Sequence, residues 1–355
     1  MNKTARSVNF ELLRIMAMFL VVVGHYIFHG LKTHDVYVYW DVSNFLGWVN
    51  YIFLELTYIF ACIAVNCYVM ITGYFCISKI EFRWNGFFKT IFATLFYSLL
   101  LLIVAFFIGK NVTKSMILNS LFPVHQELYW FVSAYLGLMF VAPFLARLVA
   151  VISKRQYQIL LGALFVLSFE YLYGSVYADT RSILFFSFLF LIAGYIKLYG
   201  IPQKWKENKG IVVLLLWGAL FSVATLTNVF FCDKAHFLLR SSSNNCMILF
   251  LSIVVFVYFA YTKIKNKLLT ILSKVSPYVF GVYLLHDNSI FRMDLWHVLI
   301  PIQYHIPVVL HCFIVAATIM LVGVLLDYIR QMLFKWTGVK KLEEWVAEKM
   351  PQLGY

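Results

Sequence analysis

The chain has 355 residues, of which 63% are apolar and 13% charged, and it carries a formal charge of +13. Ordinary globular chains run at roughly 45–50% apolar and about 25% charged. A water-soluble fold of this length has too little polar surface to cover so much hydrocarbon, and the excess of Lys and Arg is not the basic face of a soluble nucleic-acid binder. The class that remains is an all-α, polytopic helix bundle in a lipid bilayer.

A spanning helix rises about 1.5 Å per residue and needs about 20 mostly apolar residues to cross ~30 Å of hydrocarbon. The pattern predicts about ten transmembrane helices, over residues 10–28, 51–76, 87–108, 129–151, 159–177, 183–199, 211–231, 246–261, 275–289 and 308–334. Of the 29 Lys and Arg, 21 fall in the termini and one alternate set of loops, Arg330 among them, while 7 fall in the other set. The positive-inside rule then places both termini in the cytoplasm.

Lys3 and Arg6 precede an apolar run as in a secretory signal, but Arg14 interrupts the run and no small-x-small site follows, so the first span is expected to be retained. At the other end, Leu342, Trp345, Val346 and Met350 are interspersed with Lys and Glu, a pattern suited to a helix lying on the membrane surface. The expected organisation is a transmembrane domain over 1–335 and a cytoplasmic amphipathic tail over 336–355. The six Cys form no CxxC pair. Cys62, Cys67 and Cys76 read as packing residues, and Cys232 and Cys246 are candidates for a disulfide if the outer compartment oxidises. No histidine pair combines helical spacing with a carboxylate partner in a recognisable ligand set, so no metal is expected.

Ionisable groups inside the spans are costly and therefore informative. Arg14 and His25 are eleven residues apart, about 20° beyond three helical turns, so they share a face some ~16 Å apart along the axis. Gly24, beside His25, permits close approach by another helix or a substrate. Taken singly, Arg14 snorkels to the interface or pairs with Glu11 one turn away, and His25 is an interhelical hydrogen-bonding residue. Taken together they suit a ligand with an anionic head and a reactive group at the end of a narrow arm, which is the shape of a coenzyme A thioester.

The Arg-x10-His spacing from Arg14 to His25 resembles the signature of acyltransferase family 3, membrane enzymes that move acyl groups, usually acetyl, onto sugars of surface polysaccharides. Residues 65–75, VNCYVMITGYF, resemble the family's VNxFFxxSGYF segment. Residues 127–135, ELYWFVSAY, running on to Pro143, resemble YWFxxxYLxLxxxxPF, and residues 276–288, SPYVFGVYLLHDN, with Arg292, resemble SxxxFGxYLxHdn…R. The ordered set covers residues 8 to 334. Thr72 stands for the Ser of the SG pair, Cys67 lies where an aromatic is common, and the basic cluster Lys79, Arg83 and Lys89 is thinner than in many relatives.

The resemblance implies that acetyl-CoA, or another acyl-CoA, enters from the cytoplasm. A hydroxyl of a glycan or lipid-linked saccharide would enter from the outer side of a bacterial cytoplasmic (inner) membrane. His25 then serves as general base or as a nucleophile that carries the acyl group. Arg14 would bind phosphate oxygens through its planar fork, with Lys79, Arg83 and Lys89 as further candidates for the coenzyme phosphates. Where the ninth span emerges, His286, Asp287 and Arg292 either orient a sugar and partner His25 or form a solvated helix end. Tyr129 and Trp130 are sugar platforms or members of an interfacial aromatic belt, and Asn66, mid-span, is site wall or helix glue. Two other classes stay open: a glycosyltransferase using polyprenyl-linked sugars with Asp35 or Asp41 as catalytic acid, and a glycan or lipid transporter with a helix kinked at Pro143.

Overall fold

Most of these segments are apolar on every side, and in hydrocarbon such a chain must satisfy its backbone polar groups internally, which a helix does within one segment. The computed structural model describes residues 7–31, 45–124, 128–168, 181–230, 246–300 and 307–352, and every regular element among them is helical. In chain order these are α1 (Val8–His25), continued by a π-helical turn over Tyr26–Leu31, α2 (Phe45–Ala61), α3 (Ile63–Cys76), α4 (Trp84–Phe107), α5 (Lys114–Leu121), α6 (Trp130–Val151) and α7 (Lys154–Leu167). There follow α8 (Ile183–Tyr199), α9 (Gln203–Phe230), α10 (Cys246–Ala260), α11 (Lys267–Ser273), a 3-10 turn (Ser276–Tyr278), α12 (Val279–His286), α13 (Arg292–Leu299), α14 (Val308–Trp336) and α15 (Val339–Lys349).

Among the described residues, six helical stretches are long and apolar enough to cross a membrane: Val8–Leu31, Leu56–Cys76, Trp84–Phe107, Trp130–Val151, Lys267–His286 and Val308–Trp336. They correspond to the first four and the last two of the ten expected spans. Ile183–Tyr199, Gly210–Ala219 and Cys246–Ala260 are apolar but shorter. The fifth expected span is helical over Lys154–Leu167, and the rest of it lies outside the described residues. Three of the six are not single α-helices, the first being α1 continued by the π-helical turn. The second is broken at Cys62, and Lys267–His286 is assembled from α11, the 3-10 turn and α12. Large apolar side chains such as Phe107, Val151 and Leu321 are exposed, as lipid-facing positions require.

α1 is the hub of the bundle, packing against α2, α3, α10, α11, α12 and α14. Lipid tails are as apolar as Leu, so helices associate where small residues let backbones approach closely. Gly73 lies on the backbone of Phe190, so that any side chain there would strike α8. Gly323 of α14 meets the Cα of Val282, and Gly281 of α12 meets Asp327. These two contacts seat α12, which carries several of the candidate site residues, firmly on α14.

Asp327 and Arg330, at 1% and 4% exposure, form a buried pair with Nε–Oδ1 at 2.7 Å. The Tyr97 hydroxyl donates to Asp327 at 3.0 Å, and the Gln331 amide donates both to Asp327 at 2.8 Å and to the Pro277 carbonyl at 3.0 Å. Arg330 therefore does not act as the surface charge that its count with the tail assumed. Instead it helps tie α4, α14 and the 3-10 turn together. Beyond Gly338, whose φ of 78° lets the chain turn, α15 packs against α4. The Trp84 indole then donates to the Pro351 carbonyl at 2.8 Å.

Candidate functional site

His25 is the last residue of α1, and the π-helical turn that follows brings His29 alongside it, with ring centroids 5.1 Å apart. Single π-helical turns inside helices occur frequently at functional sites because they re-aim side chains. α12 delivers His286 and Asp287 to the same point. His25 Nδ1 lies 3.0 Å from His286 Nε2, and the other ring nitrogen of His286, Nδ1, lies 2.6 Å from the Val282 carbonyl. A carbonyl only accepts, so His286 Nδ1 carries the proton. With both rings neutral, His286 Nε2 must then accept from His25 Nδ1–H. That assignment leaves His25 Nε2 with its lone pair free to accept a proton. Asp287 reinforces the same tautomer, its Oδ1 lying 3.6 Å from His25 Nδ1.

Asp287 is itself 2% exposed and carries a second partner, the Arg292 guanidinium at 3.1 Å. His29 Nε2 lies 3.9 Å from the same oxygen. The fold thus builds the arrangement that linear spacing did not suggest: His25, His29 and Asp287 each offer an atom within 4.8 Å of the others, close enough for shared cation ligation. Because Arg292 already neutralises Asp287, a metal ion there would compete with a guanidinium for the one carboxylate.

These residues open on a cavity of about 380 Å³. Its walls come from α1 (Val21, Gly24, His25), from the α2–α3 break (Ala61, Cys62) with Val65 and Tyr68 beyond it, from Trp130 and Phe131 of α6, and from Phe280, Tyr283, Asp287 and Arg292. Arg181 also lines it and stands over the Trp130 ring at 5.7 Å, a cation–π distance. Such a cavity, apolar with a few convergent polar groups, is the usual form of a small-molecule site.

Of the residues singled out from the sequence, His25, His286, Asp287, Arg292 and Trp130 therefore converge. Tyr129 does not line the cavity. It is fully buried, donating to the Leu284 carbonyl at 2.8 Å and accepting from Asn288 at 2.6 Å, and so pins the end of α12. Asn66 points away as well, its amide donating to Ser252 of α10 at 2.9 Å. Arg14 pairs with Glu11 at 2.5 Å and keeps its side chain 32% exposed. Arg83 donates to Cys76 Sγ at 2.9 Å, Lys79 is exposed, and Lys89 lines a separate cavity of about 860 Å³ with Arg330, Lys335 and Lys340. The basic cluster is thus dispersed rather than gathered around one ligand position. Asp35, Asp41 and Cys232 lie outside the described residues. His29, Tyr68, Arg181 and Tyr283 line the cavity too, although the sequence did not single them out as site residues. His29 carried a local signal in its four-residue spacing from His25, and Tyr68 and Tyr283 lie inside the two family-like segments at residues 65–75 and 276–288.

With this geometry in hand, the chain compares with known proteins as follows. Residues 7–328, nearly its whole length, match the model of the acyltransferase family 3 domain, described as an acyltransferase domain. Neither a curated protein nor a solved structure gives a significant match.

Proposed function

The chain belongs to the acyltransferase family 3, and from that premise we propose that it moves an acyl group, most simply acetyl, from acyl-CoA on the cytoplasmic side of a bacterial inner membrane to a hydroxyl of a glycan at the outer face. In this scheme the bundle spans the bilayer about ten times with both termini cytoplasmic. The observation that carries the reading is the chain from the Val282 carbonyl through His286 to His25, which leaves an unprotonated imidazole nitrogen on a residue lining a substrate-sized cavity.

His25 Nε2 takes the proton of the acceptor hydroxyl, or attacks the thioester carbonyl itself. Either role needs the Nδ1–H tautomer, and each leaves an imidazolium stabilised by Asp287 at 3.6 Å. Trp130 provides a face for a sugar ring, and Arg181 and Arg292 supply hydrogen bonds to its hydroxyls. Arg14, about three turns toward the other end of α1, holds a phosphate oxygen of the coenzyme, and Lys79, Arg83 and Lys89 add positive potential at the membrane surface.

The test is mass spectrometry of surface glycan from cells with and without the protein. The expected result is an alkali-labile ester present only with the protein. Identical spectra would overturn the proposal.

A further inference from the structure

Tyr68 stands on α3, where the family segment quoted above has Phe. Its ring packs edge-on against Phe131 at 6.1 Å and lines the cavity that holds His25. Its hydroxyl oxygen is shut off from solvent and has no hydrogen-bond partner among the described residues. A buried tyrosine hydroxyl ordinarily finds an acceptor, because leaving it unpaired costs about 1–3 kcal/mol. The other phenol of the cavity, Tyr283, makes no hydrogen bond of normal geometry among the described residues either, but it has the Asp287 carboxylate beside it as an acceptor. Tyr68 and His25 thus face one cavity from α3 and α1.

We propose that the Tyr68 hydroxyl is the oxyanion donor of this site, an assignment that rests on the acyl-transfer reading above. In the step, the acceptor oxygen forms a bond to the thioester carbonyl carbon while its proton passes to His25 Nε2. The carbonyl π pair moves onto oxygen, and Tyr68 O–H donates a hydrogen bond to that oxyanion while keeping its own proton. When the pair returns, the C–S bond breaks and the coenzyme thiolate takes the proton from His25. A donor fixed in a low-dielectric cavity and aimed at charge that develops only in the transition state raises turnover rather than affinity.

The test is Tyr68→Phe, which keeps the ring and removes only the oxygen. [1-14C]Acetyl-CoA is supplied to membrane vesicles from the producing cell, and label in glycan is followed beside the thermal midpoint of the purified variant. The expected result is turnover lower by roughly 100- to 1,000-fold, with KM for acetyl-CoA unchanged. The thermal midpoint should be unchanged or higher, because the fold loses no hydrogen bond. Full turnover, a change in KM alone, or a loss of turnover accompanied by a lower midpoint would each overturn the assignment. His25→Ala in the same assay separates the two levels. If it transfers label at the wild-type rate, the acyl-transfer reading itself fails. If it is inactive while Tyr68→Phe is fully active, only the Tyr68 assignment fails.

Discussion

Replacing His286 probes the tautomer argument directly. His286→Leu removes the acceptor of the 3.0 Å bond from His25 Nδ1. The net worth of such a bond, about 0.5–1.5 kcal/mol, sets a floor of roughly two- to tenfold on the loss of turnover. A catalytic histidine held in the wrong tautomer sets a ceiling near 10⁴-fold. Asp287 Oδ1, 3.6 Å from His25 Nδ1, still favours the Nδ1–H form in the variant. The expected loss therefore falls between these bounds, at about 10- to 100-fold in kcat. His286→Gln, whose carbonyl oxygen can accept from Nδ1–H, is expected to recover a substantial part of that loss. The assay is initial-rate transfer of label from acetyl-CoA at saturating donor, normalised to protein in the membrane. Equal rates for wild type, His286→Leu and His286→Gln would refute the reasoning. Equal losses in both variants would show that His286 acts through packing alone.

Two further outcomes follow from the same geometry. Asp327→Ala leaves Arg330 buried without its carboxylate and strips partners from Tyr97 and Gln331; a loss of about 3–5 kcal/mol is expected, read as a lower thermal midpoint in detergent, and an unchanged midpoint would contradict a structural role for the pair. Arg14→Gln is expected to raise KM for acetyl-CoA by roughly 10- to 100-fold, the worth of a charge-assisted hydrogen bond, with a smaller effect on kcat; lost turnover at unchanged KM would contradict its placement at the coenzyme phosphates.

What was legible in the sequence was whatever depends on local periodicity. The shared face of Arg14 and His25 follows from helical geometry alone, and the six helices able to cross a membrane among the described residues follow from length and apolar composition. Features set by packing were not legible. Tyr129 opens a span as a belt aromatic does, yet its hydroxyl is committed to Leu284 and Asn288, a contact between residues far apart in the chain. Arg330 looks like one more basic residue near the C-terminus until Asp327 and Tyr97 enclose it. The break at Cys62 and the π-helical turn after His25 leave no compositional mark, although together they shape the cavity wall and bring His29 into the site. His286 and Asp287 stood out as polar residues at a helix end; only the seating of α12 on Gly323 of α14 and on α1 reveals that they face His25.

The most direct test of the central claim is acetyl transfer by His25→Ala and His25→Gln, each confirmed to be folded and present in the membrane at the wild-type level. Label from [1-14C]acetyl-CoA is measured in surface glycan over time. The account requires that neither variant transfers label above the rate of membranes lacking the protein, while the wild type does. Transfer at the wild-type rate by either variant would contradict it.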